Sequence, residues 1–228
     1  CEISLNEKVA LEIALGASAT GLRSMVVVKQ VGMNILSDPL VISATHTIGS
    51  GLVVIVGDDL GPRGSQVEMD SRFYGPLSEL PVLDPGSPQA LYSSILEAYR
   101  LSDRLNIPVI VRVTARLLSL QGPEIPSRPD IGTCQWFDTE SWELTMRGRH
   151  QRHHDRIMAY AEEASDSSVL NRMEISGDVG IIASGVPAGL ASDLGVSLLA
   201  PGYSNPLPKK LLRRFIDGHR LVLVAEEP

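Results

Sequence analysis

Residues 6–38 read NEKVALEIALGASATGLRSMVVVKQVGMNILSD, and the whole α/β reading of the chain starts there. Asn6 is a good helix N-cap, Glu7 falls in the first turn, and Val9, Ile13, Ala14 and Ala17 recur at helical spacing as one apolar stripe. Gly21 offers a C-terminal stop, Ser24 to Lys29 reads as a fully buried strand, and Lys29 to Gly32 reads as the loop that leaves it. An acid, a lysine and a glutamine (Glu7, Lys29 and Gln30) are thereby delivered by the ends of adjacent elements, which is where sites on open α/β sheets form. Spacing alone does not single out Glu7, because the helix dipole favours a first-turn acid by about 0.3–1 kcal/mol whatever its use.

Working outward, Ser37 to Thr47 reads as a short helix with Pro39 at its first position, ending at a glycine turn, and Leu52 to Val56 as a strand. Asp58 and Asp59 lie in a loop and are expected to be solvated turn acids; Ser65 to Tyr74 suits a capped helix. A strand at Pro81–Leu83, a helix at Gln89–Leu105 and a strand at Val109–Val113 complete the rhythm. Helix and apolar strand alternate throughout, which predicts an α/β fold with a parallel sheet and helices on both faces. Arg112 and Arg116 are expected to pair with acids of the same fold. Pro123, Pro126 and Pro129 mark a linker, residues 134–139 read as one edge strand, and Met146 to Ala164 as a polar, solvated helix. Its His150, His153, His154 and Asp155 sit at helical spacing, but no second cluster closes a zinc site, so no metal is expected. From Val179 the α/β pattern restarts, with strands at 179–183, 196–199 and 221–224 and a helix at Lys209–Asp217. The expected organisation is therefore a domain over 1–120, a linker and polar helix over 121–178, and a smaller α/β domain over 179–228.

Composition narrows the function classes. With 228 residues, 43% of them hydrophobic, and a mean hydropathy of +0.08, the chain can bury one good core or two small ones. A net charge of −7 argues against a nucleic-acid backbone as partner. No run approaches the roughly 18 apolar residues of a membrane helix and no signal pattern opens the chain, so the expected location is cytoplasmic. A chain opening on Cys1 rather than Met is expected to lack a few leading residues. Cys1 and Cys134 are too few to ligate an iron–sulfur cluster.

The phrases NEKVALEIALGAS, VVVKQVGMN, DPL, GLVVIVGDDLG and SQVEMDSRFYGPLSELPVLDP, in that order from Cys1 to about Arg116, resemble the α chains of indolepyruvate ferredoxin oxidoreductases. These belong to the thiamine diphosphate-dependent 2-oxoacid:ferredoxin oxidoreductases. The resemblance implies a pyrimidine-binding (Pyr) domain in which Glu7 is the acid that hydrogen-bonds N1′ of the cofactor's aminopyrimidine, favouring the imino tautomer whose nitrogen takes the proton from thiazolium C2. It further implies cofactor contacts at Gly32 and Asn34 and substrate contacts at Lys29, Gln30, His46 and Thr47. Gln30 stands where that family's lysine loop carries His, and an amide exchanges no protons near neutral pH, which bears on activity and substrate preference. GIIASG, PLPKKLLRRFIDG and LVLVAEE resemble the transketolase C-terminal-type domain that follows. The implied partners are a 2-oxoacid, ferredoxin and a subunit carrying the diphosphate, Mg²⁺ and iron–sulfur clusters, in a dimer or hetero-oligomer. Two alternatives stand beside this: a non-catalytic paralogue serving as an interaction protein, and the Pyr subunit of a non-oxidative 2-oxoacid decarboxylase of the sulfopyruvate type.

Overall fold

The computed structural model describes residues 1–62, 64–122, 135–139 and 149–227, the side chains of 149–153 excepted. Helix α1 (Glu7–Ala19) opens on Asn6, whose side chain accepts the Val9 amide at 2.9 Å, a cap that contributes about 1 kcal/mol. Its buried face is Leu11, Ala14 and Ser18, one step round from the expected stripe, and Ile13 is 48% exposed. Strand β1 (Ser24–Lys29) pairs in parallel with β2 (Leu52–Asp58) and has no second neighbour among the described residues, so it is an edge strand of the sheet they form. Expected to be fully buried, it instead leaves Val27 70% exposed, because burial alternates along the strand and only the face carrying Val26 and Val28 is covered.

Between them runs α2 (Gln30–His46), which starts directly at the strand end, with no intervening loop, and carries Pro39 inside it. An interior proline costs about 3 kcal/mol. Met33, Leu36 and Leu40, all fully buried on the same helix, return about 1.5–3 kcal/mol each and outweigh it. Gly49 then allows the chain to cross the end of α1: a Cβ there would lie 2.2 Å from the Ser18 carbonyl oxygen, which instead accepts the Ser50 amide.

The expected helix over 65–74 is absent. That segment is a loop, followed by a single 3-10 turn (Ser71–Phe73) and α3 (Tyr74–Ser78). Polar side chains within and before it cap backbone amides of the loop after β2, with Glu68 accepting from Gly61 and Asp59 from Gly64. Strand β3 (Val82–Leu83), α4 (Pro88–Leu105, capped by Ser87), β4 (Val109–Thr114) and α5 (Ala115–Leu118) follow. Residues 123–134 and 140–148 lie outside the described residues, which leaves most of the expected linker and Cys134 undescribed; Gln135–Asp138 form no strand, and Ser50 hydrogen-bonds Gln135.

Helix α6 (Arg149–Ser167) is not merely a solvated helix: Ile157 and Ala161 join the main core. After β5 (Arg172–Glu174), β6 (Val179–Ala183), α7 (Val186–Ala191) and β7 (Ser197–Ala200) comes β8 (Tyr203–Asn205), then α8 (Lys209–Asp217) and β9 (Leu221–Ala225). The strands form two sheets, β1-β2-β4-β3-β8 and β5-β7-β6-β9. Strand β8 leaves the second half of the chain to pair antiparallel with β3, and Tyr203, fully buried, belongs to the first core. No helix among the described residues is long and apolar enough to cross a membrane.

Candidate active site

A helix that feeds a parallel strand runs antiparallel to it, so the first residues of α1 lie at the same edge of the sheet as the ends of β1 and β2. Glu7 therefore reaches the first turn of α2. A Cβ on Gly32 would lie 2.7 Å from Glu7 Cγ and 3.0 Å from its Oε1, so only glycine lets the acid rest there. Glu7 is half-buried and makes no ion pair among the described residues; the neighbouring Lys8 is taken by Asp38 at 2.7 Å. Glu7 also borders a cleft of about 600 Å³ closed by the 1–5 segment, α1 and β1. A carboxylate with no protein partner among the described residues, at the carboxyl edge of a sheet, is a ready acceptor for an N–H group of a ligand.

The other sequence-marked residues divide into two groups. Lys29, Gln30, Gly32 and Asn34 gather at the start of α2. Lys29 Nζ donates to the Gly64 carbonyl at 3.3 Å. Gln30 is fully buried, donating to the Val67 carbonyl at 3.2 Å and accepting the Asp59 amide at 3.3 Å. Asn34 accepts the Tyr74 hydroxyl at 2.5 Å and points its amide at Met69 Sδ, 3.5 Å away. Burial pushes the Tyr74 hydroxyl above its usual range. His46 and Thr47 stand at the opposite end of the 17-residue α2, roughly 24 Å away at the α-helical rise, and do not meet Glu7.

Sequence reading missed a charged cluster at the same sheet edge. Asp58 is not a solvated turn acid: it is 2% exposed, accepts the Ser71 amide and hydroxyl, and binds Arg112 Nε at 2.7 Å. Arg112, fully buried, also meets Asp84 at 3.4 Å and donates to the Glu227 carbonyl at 3.2 Å from both Nη atoms. Arg72 pairs with Asp70 at 2.7 Å and Glu226 at 2.6 Å. Burial raises the Asp84 carboxyl, against the pull of Arg112 and Arg72. For Asp70 burial acts in the same sense but is overcome by the Arg72 hydrogen bonds and the Arg112 charge, which hold it below the usual carboxylate range. The signal was present in Val109–Val113: an arginine inside an apolar central strand has to be paired. As expected, Arg112 and Arg116 pair with acids of the fold, Arg116 with Glu227 at 3.3 Å. His154 pairs with Glu79 at 2.7 Å, while the side chains of His150 and His153 lie outside the described residues.

No family profile matches the chain. It is 36% identical over 241 residues to the indolepyruvate oxidoreductase subunit IorA of Methanothermobacter thermautotrophicus, a match covering 99% of this chain and 39% of that subunit. The chain is a homologue of the IorA subunits. The IorA of Archaeoglobus fulgidus is 31% identical over 99% of this chain and 38% of its own length. A more distant match, 24% identical over 93% of this chain and 69% of the other, is the ketoisovalerate oxidoreductase subunit VorB of Methanothermobacter thermautotrophicus. This homologue thus spans about two-fifths of the length of the IorA relatives it matches. Among solved structures, a 2-oxoglutarate:ferredoxin oxidoreductase from Magnetococcus marinus superposes with a TM-score of 0.70 over 97% of this chain and 49% of that one, at 16% identity. That likeness shows the fold, and it agrees with the expected α/β architecture built on a parallel sheet.

Proposed function

We propose that this chain is the pyrimidine-binding part of a thiamine diphosphate-dependent oxidoreductase that decarboxylates an indolepyruvate-like 2-oxoacid and passes the electrons to ferredoxin. The observation that carries the reading is Glu7: a half-buried carboxylate with no ion pair among the described residues, held over Gly32 at the sheet's carboxyl edge. That arrangement fits an aminopyrimidine, which offers a ring nitrogen to an acid in just this setting. The cofactor, when bound, supplies the carbon nucleophile and the electron sink. Glu7 would hydrogen-bond N1′ and so hold the proton balance of the ring, Gly32 would keep the approach open, and Asn34, fixed by Tyr74, would border the ring. Lys29, exposed at the strand end, is the substrate contact this geometry supports best; Gln30 serves the loop, and His46 and Thr47 would face a different part of the enzyme.

The diphosphate, Mg²⁺ and iron–sulfur clusters are assigned to protein outside these 228 residues, and the assembly to a hetero-oligomer, since the relatives are named as subunits and the chain matches about two-fifths of IorA. We assign residues 1–120 to the Pyr unit, 121–178 to the connection and 179–228 to a transketolase C-terminal-like unit, a division that the two sheets follow except that β5 joins the second sheet from within 121–178 and β8 returns to the first.

The test is reduction of a viologen dye by the assembled enzyme with indolepyruvate, with and without thiamine diphosphate. Reduction that needs the cofactor supports the reading. Cofactor-dependent release of aldehyde without dye reduction would replace it with a non-oxidative decarboxylase, and tight subunit assembly with no turnover would leave an interaction protein. Gly32→Ala gives a sharper check. Alanine should favour the helix by nearly 1 kcal/mol, yet its methyl displaces the Glu7 carboxyl, so turnover should drop on the order of 10²-fold with the melting temperature unchanged or raised.

A further inference from the structure

Three side chains from the end of β1 and the first two turns of α2 hold the loop that follows β2. Lys29 reaches the Gly64 carbonyl and Asn34 reaches Met69 through exposed contacts, and between them Gln30, itself fully buried, makes two part-buried ones. Gln30 uses both ends of its amide: nitrogen to the Val67 carbonyl at 3.2 Å and oxygen from the Asp59 amide at 3.3 Å. These two anchors are the start and the far side of the loop. The same helical turn carries Gly32, on which Glu7 rests. One turn of α2 therefore places the acid on one side and the loop on the other.

We propose that Gln30 is a positioning residue: its amide clamps the loop at Asp59 and Val67 against α2 and thereby holds it across the same helical turn from Glu7, with one donor and one acceptor supplied at every pH. No side chain that titrates near neutrality can supply both roles unchanged. A carboxylate offers two acceptors and would face the Val67 carbonyl with an unpaired lone pair, and an imidazolium offers two donors and would face the Asp59 amide. The charged groups on the elements packed around this clamp are Glu7 on α1, Lys29 at the end of β1, Asp58 at the end of β2 with Arg112 from β4, and Asp59 and Glu68 in the loop. Asp59 is occupied by the Gly64 amide, Glu68 by the Gly61 amide and Asp58 by Arg112 and Ser71. The part of this inference that concerns the cofactor rests on the function proposed above; the clamp itself does not.

The experiment is amide hydrogen exchange of residues 59–67 in the full-length protein, corrected for intrinsic rates, between pH 5 and 8, in the wild type and in Gln30→Glu. The wild type should show a flat protection profile. Gln30→Glu, nearly identical in shape, should lose about tenfold in loop protection at pH 8, the scale of one buried hydrogen bond left unmade. Protection should return as pH falls through the raised pKa of the buried carboxyl, whose protonated form can donate to Val67. Gln30→Met fills the space without polar atoms and should stay unprotected at every pH. Loop protection in Gln30→Glu that equals the wild type at pH 8, or that does not change with pH, would overturn the clamp. In the assembled enzyme the apparent thiamine diphosphate affinity of Gln30→Glu should weaken severalfold at pH 8 and recover at pH 5.5. An unchanged affinity with pH-dependent loop protection would overturn the cofactor link alone.

Discussion

Replacing Glu7 by Gln in the assembled enzyme is expected to lower cofactor-dependent turnover by about 10²–10⁴-fold, the usual contribution of a positioned proton-transfer group. Stability should hardly move. The amide matches the carboxyl in shape and still fits over Gly32, the Asn6 cap is untouched, and no ion pair among the described residues is lost. What remains is the loss of a negative charge near a helix N-terminus, about 0.3–1 kcal/mol. Turnover and thermal melting measured on the same preparation separate the two roles. Full activity with a lowered melting temperature would make Glu7 an acid that serves only its helix.

The largest effect on folding is expected at Arg112. The side chain is fully buried and compensates Asp58 and Asp84, each no more than 3% exposed, while holding the Glu227 carbonyl. Arg112→Leu keeps the bulk but strands two buried acids, and breaking such a pair from one side typically costs about 3–5 kcal/mol. The deficit should depend on pH. Burial already raises the Asp84 carboxyl, and without the guanidinium its folded pKa moves further above the unfolded one. A group with a raised folded pKa gives stability that is complete below its unfolded pKa and is lost as pH rises through its folded pKa. Denaturant unfolding should therefore show a smaller difference from wild type at pH 4.5 than at pH 7.5. An equal difference at both would mean that lost packing, rather than stranded charge, sets the cost.

The legible parts of this chain are those where local signals and tertiary packing agree. Asn6, Ser87 and the apolar run at Val109–Val113 announce their elements, and the structure keeps them nearly to the residue. Pro39 misleads because a local rule, that proline starts helices, is overridden by three buried side chains of one long helix. Asp58 misleads because adjacent acids after a strand look like a solvated turn, and the partner that buries one of them is 54 residues away. Glu7 is a different case. Its helix was readable from caps and spacing, but nothing in the local sequence says that Gly32 stands beneath it; that contact exists only once β1 turns the chain back. His46 and Gln30 fall 16 positions apart on what proved a single helix, so a reading that split the helix at Pro39 could place both in one pocket.

The β3–β8 pairing has a consequence for the order in which the protein is made. Val82 and Leu83 expose their outer edge to solvent until Tyr203–Asn205 arrives, about 120 residues later, which at 5–20 residues per second is on the order of ten seconds on the ribosome. During that interval the nascent sheet carries a raw apolar border beside the unfilled space that Tyr203 will occupy. The first half of the chain is thus an obligate client of its own later sequence, and the moment most exposed to aggregation falls before Tyr203 leaves the exit tunnel.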